Sequence, residues 1–259
     1  MMNWLKKRKR RRVREAPFPE KWEAHLERSV PYYSVLLPED KEELLGHVQV
    51  LLAEKHFEGC RGFEITDEVR VTIAGHAACL LLHRETDYFP KLKTILVYPS
   101  IFVVEDDYTD EEGIVSTGAD EHAGQSWDLG VVVLAWDEVQ RSSKASRDGY
   151  NVVLHEFAHQ LDLEDHFADG TPILRENGQY ARWVEVFESE YGDLLHDVRR
   201  GRRTVIDEYG ATNEAEFFAV VIEAFFGTPV KLRRKHPDLY QELSAYFCQD
   251  PAHIAENGG

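Results

Sequence analysis

The segment Asn151-Val-Val-Leu-His-Glu-Phe-Ala-His-Gln-Leu-Asp162 decides how the other residues are interpreted, because it carries an HExxH pattern with helical spacing. On an α-helix His155 and His159 lie one turn apart, so both imidazoles can reach one metal ion. Glu156 is placed next to them, where its carboxylate can take a proton from water. With 12 histidines in 259 residues, chance gives this pattern in roughly one such chain in twenty. Other features of the sequence must therefore support it.

The composition is that of a folded protein without a disulfide framework. Hydrophobic residues make up 43% and aromatic residues 11% of the chain, which is enough for a core. The three cysteines, Cys60, Cys79 and Cys248, include no CxxC pair, which argues against disulfides and against a thiolate zinc site. No apolar run resembles a signal peptide or a membrane span. We therefore expect a cytoplasmic protein whose metal ligands are histidine and carboxylate.

The charge is unevenly distributed. The net charge is −17, yet residues 6–14 contain eight Lys or Arg and no acid, so the remainder carries about −25. Such an acidic body repels nucleic acid, and no nucleic-acid partner is expected. Residues 1–16 are predicted to be a disordered basic tail that can contact anionic lipid or phosphate, and residues 17–259 a single domain.

Hydrophobic periodicity predicts an α+β fold that is mostly helical. Helices are predicted at 20–28, 39–57, 66–83, 150–163, 183–194, 213–226 and 237–247. Strands are predicted at 94–98, 101–104 and 130–136, which gives a small mixed sheet. Ser126, Trp127 and Trp136 bracket a possible hairpin, whose exposed strand could pair with an extended peptide.

Two other sets of residues could in principle bind a metal ion, namely a pair of histidines and an acidic segment, but neither is interpreted as a metal site. His76 and His83 lie on a predicted helix without paired carboxylates, so we interpret them as structural. The acidic segment 105–112 lacks the ligand spacing and the central glycine of an EF-hand. It is therefore predicted to be a solvated loop.

A catalytic zinc site needs a third protein ligand. The metzincin pattern HExxHxxGxxH is excluded, because Asp162 and Asp165 occupy its glycine and last histidine positions. A thermolysin-like ligand would follow some 20 residues later, and no motif singles out one of the acids in that region, which are Glu176, Glu185 and Glu188. These three residues remain possible but unsupported.

The helix at 213–226 offers a better third ligand. Glu216 and Glu223 lie within about 20° of one face, whereas Glu214 points nearly the opposite way. Asn213 and Glu216 also have the spacing of a capping box, and Glu223 could form a buried salt bridge. Asp162 is a further ligand candidate, although an outer acceptor that orients a side chain fits its position better. The residues alone leave these alternatives open.

Longer segments resemble a known family over nearly the whole chain after the basic tail. The matching segments are PFPEKW (17–22), ILVYP (95–99), NVVLHEFAHQLD (151–162), IDEYGATNEAEFFAVVIEAFF (206–226) and PDLYQEL with QDP (237–251). They are similar to the Mlc titration factor A family of bacterial zinc-dependent metallopeptidases. That family in turn resembles the catalytic domain of anthrax lethal factor, a zincin.

The resemblance implies a zincin-like fold and one zinc ion per chain, bound by His155, His159 and Glu216. It implies that Glu156 is the general base and that Tyr209 assists catalysis, for which a phenol could donate a hydrogen bond to an oxyanion. The implied activity is aminopeptidase-like cleavage of small peptides. A further implied partner is an Mlc-like transcriptional repressor of sugar uptake. The alternative is a non-catalytic zinc-containing protein that sequesters such a regulator.

Overall fold

The protein is mostly helical. The computed structural model describes residues 2–100, 102–105, 108–109, 115–116, 119–122, 124–127, 130–144, 149–176 and 178–257. The helices are α1 Met2–Arg14, α2 Glu20–Ser29, α3 Pro31–Val35, α4 Pro38–Glu54, α5 Asp67–Cys79, α6 Trp136–Ser142, α7 Val152–Asp162, α8 Gln179–Arg199, α9 Glu214–Gly227, α10 Pro229–Lys235, α11 Pro237–Phe247 and α12 Pro251–Asn257. Two 3₁₀ helices span Leu163–Asp165 and Glu208–Ala211.

The strands form one small sheet and two short pairs. They are β1 His56–Gly59, β2 Thr94–Tyr98, β3 Phe102–Glu105, β4 Tyr108–Thr109, β5 Val115–Ser116, β6 Ala119–His122, β7 Gly124–Trp127 and β8 Val131–Ala135. The sheet has the order β1-β2-β8-β7, in which β1, β2 and β8 are parallel and β7 is antiparallel to β8. Strand β3 pairs with β6, and β4 pairs with β5. The predicted mostly helical protein with a small sheet is thus confirmed.

Side-chain caps explain where three helices begin. Thr66 accepts a hydrogen bond from the backbone N–H of Val69 at the start of α5, at 3.3 Å. At the start of α7, Asn151 accepts from the backbone N–H of Leu154 at 3.0 Å. At the start of α9, Asn213 accepts from the backbone N–H of Glu216 at 2.9 Å. Each cap satisfies a backbone donor that the first helical turn leaves unpaired. Helix α4 ends earlier than predicted because the chain enters β1, a strand that the sequence analysis missed.

The core lies between the sheet and the long helices. Helix α9 is buried along its whole length from Phe217 to Phe226. Trp183 of α8 is buried and stacks on Phe187, with 4.1 Å between the ring centroids. Burial of side chains of this size stabilises the fold by about 1.5–3 kcal/mol each. Helix α9 is therefore held on several sides, which fixes the positions of its two inward acids.

The first turn of α7 lies against the last turn of α9. Gly149, which has φ +85°, and Gly227 meet there, and the backbone of Gly149 leaves no room for a side chain on Gly227. A Cβ atom on Gly227 would lie 2.6 Å from the Cα atom of Gly149. Since real Cβ atoms do not come so close, this approach requires glycine at 227, whereas glycine at 149 is favoured by its positive φ.

The structure differs from the predicted disordered tail over residues 1–16. Residues 2–14 form α1, which packs on α4. Arg10 is only 8% exposed, and its guanidinium hydrogen-bonds Glu54 at 2.7 and 2.9 Å and Asp87 at 2.5 Å. These partners lie 44 and 77 residues away in the sequence. The prediction was wrong because local composition does not reveal such distant carboxylates.

Other expectations concern the cysteines, membrane spans and the acidic loop. Cys60, Cys79 and Cys248 are free thiols, as the lack of a disulfide pattern predicted. In the described parts of the chain, no helix combines the length and the apolar character that crossing a membrane requires. The predicted loop at 105–112 and the predicted hairpin turn after Trp127 lie largely outside the described residues.

Candidate metal centre

The two histidines of the HExxH segment lie on one face of α7 at the predicted spacing. Their Nε2 atoms are 3.3 Å apart, and their ring centroids are 4.9 Å apart. Each side chain retains 13% of its accessible surface. Both rings thus converge on one point that solvent can still reach.

Helix α9 brings Glu216 to the same point. Its Oε2 atom lies 3.0 Å from His155 Nε2 and 3.5 Å from His159 Nε2. The capping interpretation holds only for its backbone, whose N–H donates to Asn213, while the side chain is turned toward the histidines. Within the described residues, His155, His159 and Glu216 are the one group of three whose ligand atoms could share a metal ion.

The spacing of these three atoms fits a metal ion. Zinc bonds of about 2.1 Å in a tetrahedral shell put neighbouring ligand atoms about 3.4 Å apart. The three observed separations are 3.0, 3.3 and 3.5 Å. Glu216 Oε2 is buried and contacts both imidazoles at 3.0 and 3.5 Å, as expected when the three atoms aim at a common centre. Burial would raise the pKa of Glu216, but the two imidazoles lower it to about 2.

Glu223 lies on the opposite side of the His155 ring. Its Oε1 atom is 2.8 Å from His155 Nδ1, and its Oε2 atom accepts a hydrogen bond from the backbone N–H of Asn151 at 2.5 Å. Burial would lower the pKa of His155, but hydrogen bonds to Glu216 and Glu223 raise it to about 10. A carboxylate on Nδ1 fixes the ring and leaves Nε2 available as a ligand when the imidazole is neutral. The structure therefore gives Glu223 the salt-bridge position and not that of a third ligand.

Glu156 is almost fully buried, with 3% exposure. Its Oε2 atom has no hydrogen-bond partner among the described residues. The pKa of Glu156 is raised to about 8, chiefly by burial; His155 opposes this rise, and the carboxylates of Glu216 and Glu223 contribute to it. A carboxyl group that exchanges its proton near neutral pH is suited to acid–base chemistry.

Asp162 does not join the centre. Its side chain is fully buried, and its Oδ2 atom accepts a hydrogen bond from the backbone N–H of Gly170 at 3.0 Å. Burial raises its pKa to about 7. It therefore orients the backbone that follows α7. Nor does the cluster include the three acids that a thermolysin-like site would use, which are exposed on or before α8: Glu176, Glu185 and Glu188.

Tyr209 lies beside the histidines, on the 3₁₀ helix Glu208–Ala211. Its ring centroid is 5.9 Å from that of His155, and the residue is 54% exposed. Asp207 caps this short helix by accepting from the backbone N–H of Tyr209 at 2.9 Å. Residue patterns alone would not have selected this tyrosine; the family resemblance did.

A buried chain of hydrogen bonds behind the histidines was not foreseen. Asn151 Nδ2 donates to Nδ1 of His76 at 3.0 Å, while the backbone N–H of Asn151 holds Glu223. Burial lowers the pKa of His76 to about 4, so it is neutral and can accept this bond. The sequence analysis singled out the inward acid at 223, but not the cap residue Asn151. Their contact could not be foreseen, because 72 residues separate them.

Comparison with known proteins gives a consistent result. An uncharacterized protein of Synechocystis is 41% identical over 250 residues, covering 96% of this chain and 90% of the relative. Mlc titration factor A of Serratia proteamaculans is 33% identical over 226 residues, or 86% and 85% of the two chains. The factor of the same name from Cronobacter sakazakii is 32% identical over 240 residues, or 91% and 88%. The family model of the glucose-regulated metallo-peptidases M90 matches residues 4–248, and the chain therefore belongs to that family.

Proposed function

We propose that this protein is a zinc-dependent metallopeptidase of zincin-like fold that acts as an aminopeptidase on small peptides. His155, His159 and Glu216 would hold one zinc ion per chain. The observation that carries the proposal is the convergence of their three ligand atoms to within 3.5 Å of one another. Two imidazoles and one carboxylate are the ligand set of zinc peptidases.

The chain supplies the proton chemistry. A bound zinc ion would act as a Lewis acid on the scissile carbonyl and lower the pKa of water toward neutrality. Glu156 takes a proton from the attacking water and delivers it to the leaving amine. Its burial supports this role, since a buried carboxyl group holds a proton more readily than an exposed one. Glu223 keeps the ring of His155 oriented through Nδ1.

Tyr209 is proposed to assist the same step. Its phenol belongs to a half-exposed side chain next to His155, where a substrate carbonyl would have access. A phenolic O–H donates one hydrogen bond, and an oxyanion accepts it more strongly than a neutral carbonyl does. Tyr209→Phe should therefore lower kcat more than it changes KM.

A peptide substrate is supported by the position of β7. This strand is the last in the sheet order, is antiparallel to β8 and contacts α7. Among the described strands it pairs on one side only. An extended peptide could add to such an edge through backbone hydrogen bonds and so pass in front of α7.

Two substitutions test the assignment of roles. Glu156→Gln should reduce hydrolysis of a peptide library by about 10²- to 10⁴-fold while the protein still binds one zinc ion. Glu216→Ala should lower the zinc content, whereas Glu214→Ala, an exposed acid on the same helix, should leave it unchanged. Full zinc content in Glu216→Ala would move Glu223 or Asp162 ahead as the third ligand. An undiminished rate in Glu156→Gln would remove Glu156 as the base.

The aminopeptidase preference has its own test. Pairs of short peptides that differ only in acetylation of the α-amino group should be cleaved at different rates, with the free amine preferred. Equal cleavage of both members at internal bonds would identify an endopeptidase instead.

A second candidate function is the binding of a transcriptional regulator of sugar uptake. It is favoured by relatives at 32–33% identity whose name, Mlc titration factor A, refers to titration of Mlc. Pull-down from the source cytoplasm with the wild type and with Glu156→Gln separates the two functions. Capture of a repressor by both, together with absence of peptidase activity in the wild type, would support the non-catalytic binding protein.

A further inference from the structure

Helix α1 has an exposed basic face. Trp4, Arg8 and Arg12 follow one another at four-residue spacing, and Leu5 and Lys9 lie beside them. At 100° per residue, these five residues cover about 140° of the helix surface. All five are exposed, and Trp4 and Leu5 are 61% and 57% exposed. We call these five residues the α1 face.

The opposite side of α1 holds the helix in place. Arg10 binds Glu54 and Asp87 and lies over the ring of Tyr88, 4.5 Å from its centroid. Lys6 also pairs with Asp87, at 2.7 Å. The carboxylates of Glu54 and Asp87 are therefore engaged by its inner side. The cations of the α1 face have no described carboxylate within 4.0 Å.

An isolated helix of this composition would be unfavourable. Like charges at four-residue spacing, such as Arg8 and Arg12, repel each other on a helix surface. Docking through Arg10 nevertheless holds them on one outward face. The remainder of the chain carries about −25, so the α1 face is a local exception to the charge of the whole protein. An external anionic surface could supply the missing negative charge.

Apolar surface accompanies the cations. A groove of about 590 Å³ runs between α1 and its neighbours. Its apolar lining comes from Leu5, Val13, Trp22 and Leu52, and Arg8 and Arg12 border it. Cations around an apolar groove match a molecule with an anionic head and a hydrocarbon tail. A nucleic acid would use the cations only, and its length would bring it against the acidic body.

We propose that the α1 face binds the surface of a membrane that contains anionic lipid. The guanidinium and ammonium groups pair with the headgroup phosphates, and Trp4 enters the interfacial region that indole rings prefer. Leu5 and the adjoining groove accept acyl-chain surface. The attachment is peripheral, because α1 has one polar, strongly charged side that stays on the protein.

Vesicle sedimentation tests this proposal with the full chain. The protein should sediment with vesicles of phosphatidylcholine and phosphatidylglycerol, and it should stay in the supernatant with vesicles of phosphatidylcholine alone. Arg8→Glu/Arg12→Glu should weaken binding at least about tenfold, since each Lys or Arg near an anionic surface contributes about fivefold. The matched control is Arg203→Glu/Arg234→Glu, two exposed arginines elsewhere in the chain. This control has the same change in net charge and should bind nearly as the wild type does.

Several outcomes overturn the proposal. Among them are absence of wild-type binding to the anionic vesicles, equal weakening in both double variants, and tighter binding to duplex DNA than to the vesicles. Trp4→Ala should weaken vesicle binding without changing the helix content seen by circular dichroism, whereas an unchanged affinity would contradict the interfacial contact. If Arg8→Glu/Arg12→Glu loses helix content, Arg8→Gln/Arg12→Gln takes its place, and binding equal to the wild type would again contradict the proposal.

Discussion

Replacing Glu223 by Gln tests how α9 supports the histidines of α7. Glu223 accepts from the Asn151 backbone N–H at 2.5 Å and faces His155 Nδ1 at 2.8 Å. Gln keeps one acceptor and turns the other into a donor. If its carbonyl remains on Asn151, its NH₂ group faces Nδ1, and the ring proton must move to Nε2. If the amide is reversed, two donors meet at Asn151, which costs about 1–3 kcal/mol.

We expect Glu223→Gln to weaken the binding of a metal ion. A proton on Nε2 of His155 occupies the position that faces Glu216, so it must be removed before this nitrogen can act as a ligand. Loss of such an orienting partner typically weakens metal binding about 10- to 100-fold, or about 1.4–2.7 kcal/mol. Competition between the metal-free protein and a chromophoric zinc chelator measures this directly. Glu214→Gln on the exposed side of α9 is the control. Unchanged affinity in Glu223→Gln, with an unchanged Tm, would refute the reasoning.

Three further predictions concern stability. Burial lowers the pKa of His76 to about 4, so the unfolded chain binds the extra proton first. The free energy of unfolding therefore falls by up to about 3 kcal/mol as the pH is lowered from about 6.5 toward 4. Urea unfolding at several pH values should show that His76→Gln lacks this part of the pH dependence. Gly170→Ala should cost more than about 2 kcal/mol, because φ is +77° and the Cβ would lie 2.6 Å from a backbone oxygen of α9. Gly62→Ala, with the same φ and no atom within 4 Å, should cost only about 1 kcal/mol, and equal losses would contradict the contact argument. Arg10→Ala should lower the free energy of local opening of α1 by about 3 kcal/mol in hydrogen exchange, whereas Arg8→Ala should not.

Helices could be predicted where the sequence has a cap residue followed by helical apolar periodicity. Asn213 and Thr66 are cap residues directly before apolar periodic segments, and both caps are observed. Strand β2 and helix α11 have their predicted bounds, since β-branched residues are frequent in the first and a proline opens the second. Strand β1 was missed, because His56–Gly59 has no such alternation and is a strand only through its pairing with β2.

Candidate residues for the site could be named from the sequence, but the contacts between distant segments that assemble it could not. The sequence placed His155 and His159 on one helical face and narrowed the third ligand to a few acids. The residues alone could not separate Glu216 from Glu223, because both lie on the same face of α9, and only the family resemblance singled out Glu216. The separation depends on which side of the His155 ring each carboxylate reaches, and that follows from the packing of α9 on α7. The prediction of a disordered tail at residues 1–16 failed for the same reason, because the carboxylates that bind Arg10 are distant in sequence.

The two halves of the site are also separated in time during synthesis. Glu223 follows His155 by 68 residues, and translation at about 5–20 residues per second needs roughly 3–14 seconds to cover that distance. During this interval α7 can form with its own cap, Asn151, but Glu216 and Glu223 have not yet been synthesised. The nascent chain consequently carries the two histidines without the third proposed ligand. Formation of the centre thus reports that the chain has been synthesised through α9.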